Sequence, residues 1–205
     1  MDLYLKRRQI LNEVNKEIIY RRYEQSMLYD IAILLKLNPL VIDVVFPNGL
    51  KDFNLFVIAE INNEFLELAK NYPLEGKKGH EKLVGLLRLK IEVLKKYKVL
   101  IKEIMSEMLY DPIEIGRCLW QAADQLWKIV QDRSIDFNYY TKRISLGFIY
   151  SKILLFFIQD NSTNNMDTED YIIREIMRVV QFASYKKKFS VSKIPVLRYV
   201  LSIFK

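Results

Sequence analysis

Cysteine and histidine each occur once in the 205 residues, as Cys118 and His80. A single cysteine excludes an internal disulfide. Flanked by Arg117 and Leu119 inside a helical pattern, it reads as an inert thiol packed among apolar neighbours. A single histidine falls short of the two that a carboxylate-histidine di-metal centre needs, and no Ser-His-Asp pattern accompanies it. His80 is expected to face solvent at a helix start, with no metal and no catalytic role. Glycine (six) and proline (five) are scarce while hydrophobic residues make up 51%, a balance that suits an all-helical domain and argues against disorder. Long apolar runs are also missing. The longest, 146–158, is interrupted by Lys152 and too short to span a bilayer. No apolar run follows Lys6-Arg7-Arg8, so no secretory signal is expected. No period of 20–50 residues repeats, which excludes a solenoid. A soluble or peripheral protein is expected.

What is present is helical periodicity. Residues 3 to about 24 carry Leu5, Ile10, Val14, Ile18 and Ile19 near one face, and Lys6, Arg7, Arg8, Lys16, Arg21 and Arg22 on the other. Further helices are predicted over 52–71, 81–98, 99–109, 113–130 and 137–159, with a last one starting at Asp167 or Thr168. The separators are Pro73, the Gly76-Lys77-Lys78-Gly79 turn, Asp111-Pro112 and the polar stretch 161–167. The Gly-x-x-Gly is read as a plain loop, because the nucleotide-clamping alternative needs a neighbouring sheet. The fold class is therefore all-α. One domain spans 1–205, with a first part over 1–47, a larger helical part over 48–185 that could hold a ligand, and a terminal helix over 190–205.

Residues 26–46 resemble the helix-turn-helix of TetR-type repressors: Ile31-Ala32, a turn near Lys36-Leu37-Asn38, then a short helix ending at Phe46-Pro47. In a DNA reader the second helix offers basic or amide groups to phosphates and base edges. This one reads Pro39-Leu-Val-Ile-Asp-Val-Val-Phe46, with no lysine or arginine. Asp43 stands about where such repressors carry a phosphate-contacting tyrosine. Lys36 occupies the turn position usually held by glycine. Without cations, counterion release supplies no binding energy, and no nucleic-acid partner is expected.

The chain's net charge of +7 is concentrated at its end, where 186–205 holds six basic residues and no acidic one. A last helix with Pro195 in its first turn would place Arg198, Ser202 and Lys205 on one narrow face and Ile194, Leu197, Val200, Leu201 and Phe204 around most of the rest. Two readings stand for it. It lies in a membrane interface, with Lys193, Arg198 and Lys205 toward anionic headgroups, or it docks in a groove of its own domain or of a twin subunit.

The stretch from Asp124 to Asp160 reads as two helices joined by a polar turn, with Asp136 or Asn138 able to cap the second. Tyr140, Ile144, Phe148 and Ile149 follow at helical spacing. Asp136, Asn138, Tyr139, Tyr140, Lys142 and Arg143 crowd the helix start. They form either a capped helix with half-packed tyrosines or a contact patch of aromatic and guanidinium groups.

Asp124-x-x-Trp127, Asp136-Phe-Asn-Tyr-Tyr-Thr-Lys-Arg143 and the run from Tyr150 to Asp160 closely resemble the coenzyme Q biosynthesis protein nine family. The resemblance is strongest over 112–182. It implies a TetR-like fold and a non-enzymatic accessory role in ubiquinone biosynthesis, with a bound isoprenoid lipid or quinone as ligand and no cofactor. It also implies that a patch of Asp124, Leu126, Asp136, Tyr139, Tyr140 and Arg143 meets the di-iron hydroxylase that acts on demethoxyubiquinone. Animal relatives more often carry tryptophan at the position of Tyr139. A homodimer is expected because TetR-like proteins usually pair. The membrane surface would be the cytoplasmic face in a bacterium, or the matrix side in a mitochondrion. The alternative is a TetR-type ligand-responsive transcription regulator. An enzyme lacks any catalytic constellation.

Overall fold

Some helix starts in this chain are set by acidic side chains that reach back to free backbone N–H groups. Asp2 accepts from Tyr4 and Leu5 N–H at the start of α1 (Leu3–Glu17). Asp111 accepts from the Glu114 N–H at 3.1 Å, with Pro112 supplying the first residue of α7. Glu81 reaches back to the Lys78 N–H at 2.8 Å at the start of α5. In the computed structural model, which describes residues 2–132 and 135–188, α1 is followed by α2 (Gln25–Leu34), α3 (Val41–Val45), α4 (Leu50–Lys70), α5 (Gly79–Lys95), α6 (Lys98–Met108), α7 (Pro112–Ile129), α8 (Asp136–Gln159) and α9 (Met166–Lys188), with one 3₁₀ turn before α9. No strand occurs among the described residues. The all-α reading holds.

Two local expectations are corrected. The first helix ends at Glu17 rather than near Glu24, so Ile18 is buried while Ile19 and Tyr20 turn out to solvent. α8 begins with Ile135 as its extended capping residue, so Asn138 lies inside the helix and not at its cap. The polar stretch after α8 separates it from α9 as expected, and it is held in place. Asp160 accepts from the Ser162 N–H at 2.8 Å, the Thr168 N–H at 2.9 Å and the Thr168 hydroxyl at 2.5 Å, joining the end of α8 to the start of α9.

The helix-turn-helix-like part keeps its turn at a cost. Lys36 adopts φ 56°, the left-handed conformation that favours glycine. Gly49, at φ 59°, is required. A Cβ there would stand 2.2 Å from Gln25 Oε1, which accepts from the Leu50 N–H at 2.9 Å and so starts α4 from a neighbouring helix.

Packing follows the apolar faces. α1, α2 and α3 pack together, α4 lies against α5, α5 against α9, α7 against α8, and α8 against α9. One contiguous core runs from Ile10 to Ile176, filled by Phe46, Phe53, Phe65, Phe157, Leu86 and Leu87 among others. No helix among the described residues is long and apolar enough to cross a membrane.

Candidate functional site

The larger helical part contains an apolar cavity of about 210 Å³, lined from α4, α5, α6, α7 and α8. Ile61, Ile104, Met105, Leu119, Ala122 and Leu154 form most of its wall. Leu109 and Leu155 also line it and are exposed, so its mouth lies between the end of α6 and the outer face of α8. α7 presents the small Ala122 to it where α4 and α6 present the branched Ile58, Ile61, Ile101 and Ile104. A wall of this composition takes a hydrocarbon or an aromatic ring and excludes ions.

Only a few polar groups reach it. Asn62, Tyr150, Ser151 and Cys118 are part of the lining. Burial, reinforced by Glu114 and partly offset by Arg117, pushes the Cys118 thiol up to about 11, so it stays a neutral packing group as its sequence context suggests. Behind Asn62 lies Lys90, 1% exposed. Its ammonium donates to Asn62 Oδ1 at 2.7 Å and stands 4.6 Å from the Phe65 ring centre and 5.5 Å from that of Tyr150. Burial brings the amine down to about 7. Sequence reasoning missed Lys90, because one lysine in an amphipathic helix looks like any solvated charge. The signal was its position on the Leu83-Leu87-Ile91 face of α5, one step from Leu87 at i+3.

At the α7–α8 junction the proposed patch divides. Asp124 Oδ1 accepts from Arg143 Nε at 2.7 Å and from the Tyr139 hydroxyl at 3.3 Å, while Oδ2 pairs with Lys128 at 2.6 Å. Burial raises the Asp124 carboxyl, but the bonds from Lys128 and Arg143 outweigh it and hold the group below its usual range. The Arg143 guanidinium lies 3.3 Å from the Tyr139 ring centre, also donates to the Tyr139 carbonyl, and is 3% exposed. Arg143 therefore ties α8 to α7 and is not a surface contact. Leu126 is not one either, at 0% exposure. Two residues along a helix turn the chain by about 200°, so Asp124 at the rim puts Leu126 in the core beside Ala122 and Ala123. Tyr140 does face solvent, at 58% exposure, with Trp120 6.0 Å away and Tyr139 5.2 Å away, ring centre to ring centre. Trp120 was missed, although its spacing of four from Asp124 places both on one face. The Asp136 side chain lies outside the described residues. So does the terminal helix with Lys193, Ile194, Leu197, Arg198, Val200, Leu201, Phe204 and Lys205.

On the outer face of α8, Ile144, Phe148 and Leu155 are exposed at spacings of four and seven, and Ile173 and Met177 of α9 are also exposed. Ile144 and Phe148 sit at helical spacing, yet this face is not covered by any of the described residues. In the first part of the chain, Tyr29 donates to Asp43 at 2.6 Å, and the exposed positions at the short helix are Leu40 just before it and Asp43 and Val44 within it. A carboxylate and two aliphatic groups there offer nothing to a phosphate.

Fold and cavity together define a class, an all-α protein with a TetR-like fold, an apolar cavity and a helix-turn-helix-like part whose second helix has no lysine or arginine. The overall path is similar to a TetR transcriptional regulator from Nitrosomonas europaea, with a TM-score of 0.72 at 17% identity, covering 86% of this chain and 99% of that one. Within the class the likeness is to a particular family, because residues 114–183 match the COQ9 family model. The ubiquinone biosynthesis protein COQ9 of Drosophila melanogaster, described as mitochondrial, is 27% identical over 154 residues, 70% of this chain and 46% of that protein. The probable ubiquinone biosynthesis protein coq9 of Dictyostelium discoideum, also described as mitochondrial, is 22% identical over 156 residues, 70% of this chain and 50% of its own length. The chain thus spans about half the length of these relatives. The resemblance read from the α7–α8 residues is borne out.

Proposed function

We propose that this chain is a non-enzymatic accessory protein of ubiquinone biosynthesis that binds an isoprenoid lipid and presents prenylated quinone intermediates at a membrane surface to a demethoxyubiquinone hydroxylase-type enzyme. The observation that carries the reading is the apolar cavity with its mouth at Leu109 and Leu155, in a fold whose 114–183 segment matches the COQ9 family. Moving a polyprenyl tail into water costs about 0.8 kcal/mol per CH₂. A carrier must therefore offer apolar surface continuously from bilayer to enzyme. The chamber supplies one end of that path, and the basic, apolar segment 190–205 supplies the other by lying among headgroups.

Exposed Tyr140, backed by Trp120 and Tyr139, is the part of the α7–α8 junction that the hydroxylase meets. Asp124 and Arg143 hold it in place. The uncovered apolar faces of α8 and α9 pair with a second copy to make a homodimer. The site of action is the matrix side of the membrane in a mitochondrion or the cytoplasmic face in a bacterium. Mass spectrometry of lipid extracted from the purified protein is expected to find an isoprenoid or phospholipid near one per chain, and a lipid-free preparation that takes up none refutes the reading. Tyr140→Ala is expected to weaken capture of the hydroxylase in a pull-down without lowering thermal stability. Unchanged capture removes the contact surface.

The second reading, a ligand-responsive transcription regulator, is favoured by the TM-score of 0.72 to a TetR regulator. Against it stands a recognition helix that shows solvent Leu40 and Val44 beside a paired Asp43. Sequence-dependent DNA binding that survives physiological salt would establish it.

A further inference from the structure

The corner where α6 gives way to α7 carries apolar side chains that nothing among the described residues covers. Leu109 is 71% exposed, Tyr110 93% and Ile113 76%, and Pro112 between them is also in solvent. Among the described residues Tyr110 is the most exposed large hydrophobic side chain, and Ile113 the most exposed aliphatic one. Single scattered apolar groups need no explanation, but four within the five positions 109–113 make a patch. The corner is also rigid. The Tyr110 and Asp111 N–H groups donate to the Glu107 and Met108 carbonyls at 3.3 and 2.8 Å. Asp111 caps α7 through the Glu114 N–H, and Lys51 of α4 holds the same carboxylate at 2.8 Å. A tip fixed in this way gives up little conformational entropy when something covers it.

Charge and position decide what covers it. The three carboxylates of the corner each have a partner: Asp111 pairs with Lys51, Glu114 with Arg117 at 3.1 Å, and Glu107 accepts from the Asn54 amide at 2.7 Å. The tip therefore offers hydrocarbon and one phenol rather than a charge pattern by which a protein surface would be recognised. Leu109 belongs at once to this patch and to the mouth of the apolar cavity, which opens between it and Leu155. A rim that is apolar outside as well as inside keeps a hydrocarbon guest out of water only where hydrocarbon lies against the rim. Tyrosine beside aliphatic tips also suits a membrane interface, where the ring sits at headgroup level. We infer that the α6–α7 corner is a membrane-docking tip: Leu109, Tyr110 and Ile113 enter the headgroup region of a lipid bilayer and set the cavity mouth against it. This rests on the lipid-carrier reading and deepens it with a contact separate from segment 190–205, one that depends on apolar insertion and not on lipid charge.

The test uses the full chain and sedimentation with vesicles of two compositions, phosphatidylcholine alone and phosphatidylcholine with phosphatidylglycerol. Wild type is expected to bind both, and to keep its binding to phosphatidylcholine alone in about 1 M salt, where the Debye length is about 3 Å. Tyr110→Ser combined with Ile113→Ser is expected to weaken that salt-resistant binding by about tenfold or more, with helicity unchanged by circular dichroism. Tyr20→Ser removes another bare ring, 81% exposed, and is expected to leave it within about twofold. Unchanged salt-resistant binding by the double variant overturns the docking tip, while lipid found in the purified protein still upholds the carrier reading. Equal losses in the double variant and in Tyr20→Ser also overturn it, as does a wild-type dimer that the double variant splits, which would give the corner to a second copy. Wild type that binds neither vesicle overturns the tip together with the membrane half of the carrier reading.

Discussion

Lys90 should make this protein more stable at alkaline pH than at neutral pH, and replacing it should abolish that difference. Its amine titrates at an ordinary 10.5 when solvated and at about 7 in the fold, because burial penalises the charged form. A base whose folded value is depressed contributes its full stability only above the unfolded value. The contribution starts to fall as pH drops through 10.5, and the loss is complete below the folded value of about 7. At about 1.4 kcal/mol per pH unit the whole loss is roughly 5 kcal/mol. The part recovered between pH 7 and pH 9 is about 2 kcal/mol, since the folded lysine is already half neutral at the lower end. Above pH 9 the thiol of Cys118, raised by burial to about 11, pulls the other way, so the window closes there.

Lys90→Met keeps length and removes the charge, and an apolar side chain of similar volume is well tolerated among Phe65, Leu86 and Leu87. Urea unfolding followed by circular dichroism at pH 7, 8 and 9 is expected to show wild type gaining about 2 kcal/mol across the series and Lys90→Met staying flat. The variant is also expected to be the more stable at pH 7. Parallel pH profiles for the two proteins, or a variant weaker than wild type at pH 7, would refute the assignment of a desolvated amine.

Three further outcomes follow from other parts of the fold. Asp160→Ala strips the acceptor from the Ser162 and Thr168 N–H groups; a loss of about 2–4 kcal/mol is expected by urea titration. Burial opposes ionisation of Asp160, but the bonds from Ser162 and Thr168 prevail and depress its carboxyl. Its contribution should therefore persist through neutral pH and be lost only as pH falls below about 4, the ordinary carboxylate range. Lys36→Gly relieves the left-handed backbone at φ 56° and is expected to raise stability by about 0.5–1 kcal/mol, measured as a rise in thermal midpoint; a fall would show that the turn prefers a side chain. Arg143→Met leaves the largely buried Asp124 without the guanidinium and is expected to cost about 3–5 kcal/mol, so charge changes at Arg143 report on α7–α8 docking more than on a surface.

Local physics accounts for how much could be read from the chain without coordinates. Capping by Asp111, the periodicity of α4 through α7 and the break at Pro112 depend on residues within a turn or two of one another, and the predicted helices there lie within three residues of those observed. The cation-free short helix at 41–45 was equally visible, because the absence of lysine and arginine is a fact of composition. The misjudged end is that of α1, which stops at Glu17, well short of the predicted end near residue 24. The start of α4 also has a long-range element, since Gln25 from another helix caps it.

Which side of a helix is inside was decided only when the helices met. Ile144 and Phe148 have the same periodicity as Ile153 and Phe157, yet the first pair is exposed and the second buried, since among the described residues only the second finds helices to pack against. Arg143 and Tyr140 sit three residues apart in one polar cluster, and only the approach of α7 draws one inward onto Asp124 and leaves the other in water. Lys90 is the sharpest case. An amphipathic pattern says that a residue faces the core, but the environment of its charge depends on Asn62, Phe65 and Tyr150, contributed by helices up to 60 residues away. Periodicity is a property of one helix, whereas desolvation depends on everything packed around it.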